Sequence, residues 1–319
     1  MRIAIVGSGG VGGYFGGRLA AAGADVAFVA RGAHLAALRA NGLRIESPQG
    51  NLHLERLTAT DDSTTIGPVD AVFVAVKLYD TVSALPLLPP LIGSETVVIS
   101  FQNGVESVDM MAAAVPRRHL AAGTTYVQAS ISEPGVIRHV ALDRIIFGEL
   151  DGARTPRLER LLEVCLDAGV SSTLSTQIVV EIWSKFVHLS AMSGITAVTR
   201  CPVGVIRDDP DLLAMWQAAV VESMAVARAS GIDLARSYFD DLMRLIQQLP
   251  RQSESSMLAD LEHQRRLELP WLSGAVVRMG RALDVETPIH RFITTVLGPH
   301  VNGAGRQGPP VSKTREIRP

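Results

Sequence analysis

Residues 7–12 of the chain have the GxGxxG pattern, directly after an apolar run at residues 2–6 and directly before a helix-like stretch. The first glycine of such a pattern permits a tight turn out of a strand, the second lets the backbone approach a pyrophosphate, and the third allows close helix packing. A pyrophosphate there would also lie at the positive end of the helix dipole. The alternative is a structural loop in an α/β domain that binds no nucleotide. We predict a dinucleotide-binding loop that consists of Gly7, Ser8, Gly9, Gly10, Val11 and Gly12.

The residue after the second apolar run indicates which dinucleotide would bind. That run ends at Val29, and the chain has Ala30 and Arg31 where an NAD-binding enzyme presents an acidic side chain to the ribose 2'-hydroxyl. An arginine there can bind a 2'-phosphate through two parallel hydrogen bonds, as NADP(H) requires. A solvated surface arginine is the alternative interpretation of Arg31.

Two further polar residues follow apolar runs, at residues 69–76 and 96–100. Ligands of open α/β sheets bind beyond the carboxyl ends of the strands, where Lys77 and Asn103 are predicted to lie. Each also has an ordinary explanation, because a lysine after a strand is often solvated and Asn103-Gly104 is a common turn pair. Since both flank the same predicted crevice, we interpret them as ligand contacts.

A lysine in the second half of the chain is the candidate for the chemistry. The helical pattern at residues 176–199 carries an apolar stripe, close to which Lys185 and Ser193 project. A lysine that faces a nicotinamide crevice can protonate a carbonyl oxygen as hydride arrives. Alternatively, its methylenes cover apolar surface and its ammonium reaches water. We interpret His188 as a packed or surface histidine rather than as an acid or base.

Clustered hydroxyls and one carboxylate follow further along the chain. Ser253, Ser255 and Ser256 lie at a predicted helix start, where they would cap the helix or bind a substrate carboxylate. Glu268 precedes Pro270 and is either a solvated charge or a carboxylate directed at the cleft.

The elements that must position these residues fall into two groups. Continuous β-branched runs in the first half favour a parallel sheet covered on both faces, and the Pro134-Gly135 turn predicts a hairpin-like extension. Helical periodicity prevails after Asp151. We therefore predict an α/β fold, with a Rossmann-type parallel sheet and helices on both faces at residues 1–172. An all-helical domain is predicted at residues 173–298, and a disordered tail at residues 299–319.

Composition narrows the class of partner. The chain has 319 residues, 47% of them hydrophobic, and a formal net charge of −2. This balance gives no reason to expect a nucleic-acid or membrane-surface partner, so we expect a small-molecule substrate. The apolar run at the N-terminus is short and is followed by glycines, and no other stretch has the roughly 18 uninterrupted apolar residues of a membrane span, so we expect a cytoplasmic location. The only cysteines, Cys165 and Cys201, fit neither a CxxC pair nor a metal cluster, and we interpret them as reduced core thiols with no metal site.

Taken together, the motifs resemble those of the 2-dehydropantoate 2-reductase (ketopantoate reductase) family, over nearly the whole chain apart from the tail. The order and spacing of the motifs are far more specific than any one of them. The matching segments are GSGGVG at residues 7–12, Arg31, VAVK ending at Lys77, QNG at 102–104, EIWSKF around Lys185, TAVTRCPVG at 196–204, SSML at 255–258, Glu268 and TP at 287–288.

The resemblance implies NADPH-dependent reduction of a 2-oxo acid, 2-dehydropantoate to pantoate, in pantothenate and coenzyme A biosynthesis. It implies a C-terminal domain like that of 6-phosphogluconate dehydrogenase, and Lys185 as the general acid. The glycine loop, Arg31, Lys77, Asn103, Ala129 and Glu268 would contact the cofactor. Asn103, Lys185, Ser193, Ser253, Ser255 and Ser256 would contact the substrate. Helical domains of this type often pair through exposed apolar faces, so a homodimer is a candidate assembly, but the sequence does not indicate the oligomeric state.

Three positions depart from the family pattern. Well-known members have asparagines one and two helical turns after the catalytic lysine, where this chain has Leu189 and Ser193. Val203 replaces another polar contact residue. A site that loses hydrogen-bonding groups can change its discrimination between substrates by orders of magnitude. A related, more apolar keto acid is therefore the alternative substrate. An NADPH-binding sensor without chemistry is the second alternative, and the joint presence of Lys185, Asn103 and Glu268 argues against it.

Overall fold

The computed structural model describes residues 1–305 and contains two compact units. The first unit is Met1–Trp183, and the second begins at Ser184. The division falls inside a helix, Ile178–Thr199, rather than at the predicted boundary of 172/173. The cause is local packing, because Ile178 in the first turn of that helix lies in one buried cluster with Ala122 and Ile146 of the sheet.

The first unit is a ten-stranded sheet with its helices. The strands are β1 (Arg2–Val6), β2 (Asp25–Val29), β3 (Leu43–Glu46), β4 (Leu52–Leu54), β5 (Thr58–Thr60), β6 (Val69–Val74), β7 (Ile92–Ser100), β8 (Leu120–Glu133), β9 (Val136–Gly148) and β10 (Ser171–Leu174). The helices are α1 (Gly10–Ala21), α2 (Gly32–Asn41), α3 (Thr81–Ala84), α4 (Ser107–Met111), α5 (Pro156–Asp167) and the start of α6 (Ile178–Thr199).

Six parallel strands run in the order β5-β2-β1-β6-β7-β8. This is the strand order of a dinucleotide-binding fold, in which the direction of succession reverses between the first and fourth strands, here β1 and β6. The central residues of β1, β2, β6 and β7 are buried, since helices and loops cover both faces of the sheet there. The sheet confirms the predicted fold class and places the ends of β1 and β6 side by side.

The predicted extension is an antiparallel pair, β8 and β9, joined at Pro134-Gly135. The two apolar runs predicted at residues 136–140 and 144–147 belong to the single strand β9. Leu142 separates them because it has a positive φ of 62° and is skipped in the pairing, a β-bulge. The pattern at 136–147 is therefore interrupted although the strand continues.

Four short strands were not predicted, namely β3, β4, β5 and β10. Each has only three or four residues, and all four are partly exposed. Their segments lack the long apolar run that marks the central strands. They form because neighbouring strands supply unpaired backbone groups, as β9 does for β3 and β10.

The second unit is helical. It contains most of α6, then α7 (Val203–Asp208), α8 (Pro210–Ala229), α9 (Tyr238–Gln248), α10 (Ser256–Glu262), α11 (Ser273–Ala282) and α12 (Pro288–Leu297). Side chains cap several of these helices. The Asp209 carboxylate accepts hydrogen bonds from the first amides of α8, and the Glu222 carboxylate accepts those of Ile289 and His290 at the start of α12.

Among the described residues, two helices, α6 and α8, are long and apolar enough to cross a membrane by length and composition. About half of each apolar window is buried inside the protein, and one or two such helices are weak evidence for a membrane span. Cys165 lies in the core of the first unit, where burial raises the pKa of its thiol to about 12. Cys201 is half-buried, and both are free thiols.

Part of the predicted tail is ordered. Short 3-10 turns form at Gly298–His300 and Gly303–Gly305. Backbone hydrogen bonds attach them to the chain near Gln264, where Leu267 donates to the carbonyl of Val301 and Ala304 to that of Gln264, both at 2.9 Å. The prediction of a disordered tail is therefore wrong for residues 299–305, and its remainder, residues 306–319, lies outside the described residues.

Candidate functional site

The glycine loop turns sharply out of β1 and is tightly enclosed. Gly7 has a φ of +100°, and a Cβ atom there would lie 2.6 Å from the backbone nitrogen of Val76. A Cβ on Gly12 would lie 2.2 Å from the carbonyl oxygen of Gly7. Both contacts are too short for any side chain, so the loop requires glycine at these positions.

Gly9 differs from its neighbours because a Cβ atom built on it meets nothing within 4 Å. Gly9 is the residue just before α1, whose first-turn amides have no partner within the helix. The loop thus presents an open backbone surface next to the positive end of a helix dipole. This arrangement fits a pyrophosphate group and agrees with the role predicted for the second glycine.

The hairpin forms one side of the loop. A Cβ on Gly10 would lie 2.1 Å from the carbonyl oxygen of Ala129 in β8, so backbone packs directly on backbone there. The structure therefore brings Ala129 to the glycine loop, as the family resemblance implies. Ser8 is 3% exposed, and its hydroxyl donates to the carbonyl of Val29 rather than facing outward.

Arg31 and the segment after β6 meet at the same edge of the sheet. The Arg31 side chain is 72% exposed, and its Nη2 lies 2.5 Å from Asp80 Oδ2. This hydrogen bond raises the pKa of Arg31. Lys77 directly precedes the 3-10 turn Leu78–Asp80 that carries the aspartate. Sequence reasoning did not identify Asp80, which holds the guanidinium near the end of β6.

Gln102 belongs to the QNG motif at residues 102–104, but no role of its own was predicted for it. Its side chain is 6% exposed, and its amide nitrogen donates to the carbonyl of Val76 at 3.0 Å and to Thr81 Oγ1 at 2.7 Å. It thereby ties the loop after β7 to the loop after β6. The neighbouring Asn103 is half-buried, before Gly104 with a φ of +81°.

Lys185 and Glu268 come together in the second unit. Lys185 is half-buried on α6, and burial lowers the pKa of its ammonium to about 8. The carboxylate of Glu268 acts in the opposite direction and favours the charged lysine. Glu268 is only 5% exposed, so it is not the solvated surface charge of the alternative interpretation. At neutral pH the ammonium is mostly protonated and readily gives up its proton, as a general acid must.

His188 lies one helical turn after Lys185 and is a packed residue. Its ring is edge-to-face with Trp216, with 6.5 Å between ring centroids. Burial, assisted by the charge of Lys185, lowers the pKa of His188 to about 4. A neutral imidazole at physiological pH agrees with the interpretation of His188 as a packed side chain.

Most of the buried side-chain polar atoms without a hydrogen-bond partner in the described structure lie in this unit, although Arg18 Nε lies in the first. Ser193 is fully buried on α6, and its hydroxyl oxygen has no hydrogen-bond partner among the described residues; the same is true of Ser273. Val203 is 2% exposed, whereas Leu189 is half-buried on the same side of α6 as Lys185.

The serine cluster separates into different roles. Ser255 is the N-cap of α10, where its hydroxyl accepts a hydrogen bond from the amide of Leu258 at 3.0 Å and contacts Thr196 Oγ1 at 2.7 Å. Both hydrogen bonds hold the helix start, which is the capping interpretation. Ser256 is exposed at the first position of that helix, and Ser253 is half-buried before it.

The fold and the two groups of residues define a class of protein, an oxidoreductase with a dinucleotide-binding domain and a helical domain that carries a half-buried lysine beside a buried glutamate. Comparison with known proteins gives the family. The protein-family model described as ketopantoate reductase PanE/ApbA matches residues 3–152, and the family model of its C-terminal domain matches residues 177–300. The chain belongs to the ketopantoate reductase family, and it is an oxidoreductase that acts on CH-OH groups with a nicotinamide cofactor.

Curated relatives and solved structures of this family are similar to the chain over almost its whole length. A 2-dehydropantoate 2-reductase of Mesorhizobium japonicum is 32% identical over 90% of this chain and 94% of the relative. The uncharacterized oxidoreductase YkpB of Bacillus subtilis is 30% identical over 91% and 95%. A PanE/ApbA family ketopantoate reductase from Ralstonia eutropha is 31% identical over 94% and 98%, with a TM-score of 0.86. D-mandelate dehydrogenase, 21% identical, has the same fold.

Proposed function

We propose that the chain reduces 2-dehydropantoate to pantoate with NADPH, using Lys185 as the general acid. The observation that carries this proposal is the half-buried ammonium of Lys185 beside the buried carboxylate of Glu268. Relatives named 2-dehydropantoate 2-reductase match the chain over both units, which supports this substrate over other 2-oxo acids.

When it is bound, the cofactor would supply a hydride to the C2 carbon of the 2-oxo acid. The residues of the chain bind cofactor and substrate and supply the proton. The glycine loop holds the pyrophosphate on backbone amides, and Arg31, with Lys77, holds the 2'-phosphate. Ala129 lines the loop, and Asn103 contacts cofactor and substrate. Lys185 stabilises the alkoxide that forms on the ketone oxygen and then donates its proton to that atom.

The substrate contacts that we propose in the second unit are Lys185, Ser193, Ser253, Ser255 and Ser256, and Glu268 contacts the cofactor. The Ser193 hydroxyl supports this role best, because a fully buried hydroxyl without a partner gains most from a polar ligand group. The Ser255 hydroxyl supports it least, because its described hydrogen bonds already occupy it. The serine segment would therefore bind mainly through Ser253, Ser256 and backbone amides.

A more apolar 2-oxo acid is the second candidate substrate. Leu189, half-buried one turn after Lys185, cannot hydrogen-bond a substrate hydroxyl, and Val203 is buried as an apolar residue. A site built this way discriminates weakly for a hydroxyl group but accepts an alkyl or aromatic group.

One experiment tests substrate and cofactor together. Purified protein is mixed with NADPH or NADH and a panel of 2-oxo acids that includes 2-dehydropantoate, and the absorbance of the reduced nicotinamide is followed. We expect the highest kcat/KM with 2-dehydropantoate and NADPH. In the Arg31→Ala variant the preference for NADPH over NADH should fall about tenfold to a hundredfold, because charge-assisted hydrogen bonds to the 2'-phosphate are lost.

The outcomes separate the candidates. Faster turnover of an apolar 2-oxo acid than of 2-dehydropantoate would favour the second substrate. Cofactor binding without oxidation by any acid would favour the NADPH sensor. Equal use of NADH and NADPH by the unmodified chain would reject the role of Arg31.

A further inference from the structure

His34, in the first turn of α2, joins two segments that are far apart in the sequence. Its Nε2 lies 2.8 Å from the carbonyl oxygen of Ser8 in the glycine loop. Its Nδ1 accepts a hydrogen bond from the backbone N–H of Gly135, in the turn between β8 and β9, at 3.1 Å. A carbonyl oxygen only accepts and an amide only donates, so the hydrogen must be on Nε2 and the ring must be neutral. Burial, which lowers the pKa of His34, favours the same neutral form.

We propose that His34 is a positioning residue for the pyrophosphate of the cofactor and acts through the peptide between Ser8 and Gly9. The described chain contains no cis peptide bond. The carbonyl and the N–H of a trans peptide point in opposite directions. Because the Ser8 carbonyl points to His34, the N–H of Gly9 is turned away from α2. The inference rests on the cofactor assignment of the preceding subsection.

The open surface of Gly9 makes this orientation useful for binding. A Cβ atom on Gly9 meets nothing within 4 Å, in contrast to Gly7, Gly10 and Gly12. A ligand can therefore approach the backbone at Gly9. A fixed peptide there offers its N–H without a reorganisation cost at binding, which is how preorganised donors improve affinity.

The other end of the ring explains how His34 itself is held. The Gly135 amide that it accepts from belongs to a tight turn with a φ of +83°, and the carbonyl of Gly135 accepts a hydrogen bond from the amide of Arg44 at 2.9 Å. The turn is thus fixed on both sides. The hairpin that it closes also packs on the glycine loop, through Ala129 and Gly10. The imidazole of His34 therefore connects the glycine loop to the hairpin of β8 and β9.

Two substitutions separate the two ends of the ring. The amide of a glutamine reaches the position of Nε2, so His34→Gln can still donate to Ser8. The amide of an asparagine reaches only the position of Nδ1, so His34→Asn keeps the acceptor for Gly135 and loses the bond to the loop. Each variant keeps one hydrogen bond of two, which makes their stabilities comparable. His53→Ala is the matched control, because His53 is an exposed histidine of the same unit whose ring hydrogen-bonds the carbonyl of Asn41, away from the glycine loop.

The measurement is the Kd for NADPH, by fluorescence titration, together with kcat at saturating NADPH and the unfolding temperature. We expect His34→Asn to raise the Kd about tenfold and His34→Gln to raise it less than about threefold, with kcat unchanged in both variants. His53→Ala should change none of the three. Equal Kd values for the Gln and Asn variants, or a Kd unchanged in both, would overturn the proposal. An unmodified chain that binds no nicotinamide nucleotide would instead overturn the cofactor assignment.

Discussion

The glycine loop of the first unit differs from the helix that carries Lys185 in the second unit. The two regions differ in whether their buried polar groups have hydrogen-bond partners. Around the loop, Ser8, His34 and Gln102 all have hydrogen-bond partners in the described structure. Along α6, which carries Lys185, the buried polar atoms of His188 and Ser193 have none, and neither has the hydroxyl of Ser273, which lies near Gly194. In the first region, backbone and side-chain hydrogen bonds fix the loop. In the second region, several polar groups are buried without a hydrogen-bond partner among the described residues.

This difference corresponds to what each region has to do. A loop that binds phosphate needs a fixed backbone, because its donors are amides whose direction is set by neighbouring contacts. An acid that must release a proton near neutral pH needs burial, because desolvation lowers the pKa of an ammonium. Three variants or pairs of variants test whether the two regions are specialised in this way.

Substitution of Lys185 should have the largest effect and should leave the loop unaffected. We expect Lys185→Ala to lower kcat about a hundredfold to ten-thousandfold, because the general acid and its charge are both lost. The Kd for NADPH should stay within about twofold, because the predicted cofactor loop belongs to the other unit. Steady-state rates and fluorescence titration measure the two quantities. Near-normal turnover would reject the assignment of Lys185.

Adjacent glycines of the loop should separate stability from binding. Gly10→Ala places a methyl group against the carbonyl of Ala129, so we expect a loss of about 1–3 kcal/mol in the free energy of unfolding. Gly9→Ala meets no protein atom within 4 Å and should leave that free energy nearly unchanged. The Gly9 methyl group would instead occupy space next to the pyrophosphate, and the Kd for NADPH should rise about tenfold or more.

Each glycine variant is the control for the other. Denaturant unfolding measures the stability of both variants, and nucleotide titration measures their Kd for NADPH. If Gly9→Ala binds NADPH as tightly as the unmodified chain, the open surface at Gly9 is not where the pyrophosphate lies. If Gly10→Ala is fully stable, the hairpin does not restrain the loop in the way that the Ala129 contact indicates.

The two regions were predicted from different features of the sequence. The glycine loop follows from local pattern, because a GxGxxG turn between a strand and a helix has few other physical explanations. The central strands and the long helix α6 follow from hydrophobic periodicity. Lys185 was distinguished by the spacing of family motifs, since a lone lysine beside an apolar stripe is usually solvated at its tip.

What the sequence did not reveal depends on long-range contacts. Nothing local to His34 indicates that its ring reaches residues 26 and 101 positions away. The same is true of Asp80, whose pairing with Arg31 exists only because β1 lies between β2 and β6. The short strands and the ordered turns after Pro299 likewise form through partners supplied by distant segments.

The pH dependence of the reaction should give the smallest effect and the sharpest test of the Lys185 surroundings. Reduction needs the protonated lysine, so its rate should fall as the pH rises through the pKa of about 8, whereas oxidation of the hydroxy acid should rise over the same range. Because Glu268 raises that pKa, Glu268→Gln should move both limbs to lower pH, whatever its effect on the maximal rate. Glu262→Gln, at an exposed glutamate of the same unit, is the control and should leave the profile in place. A profile of Glu268→Gln that coincides with that of the unmodified chain would show that the carboxylate does not control the charge of Lys185. The contrast between the two regions would then rest on burial alone.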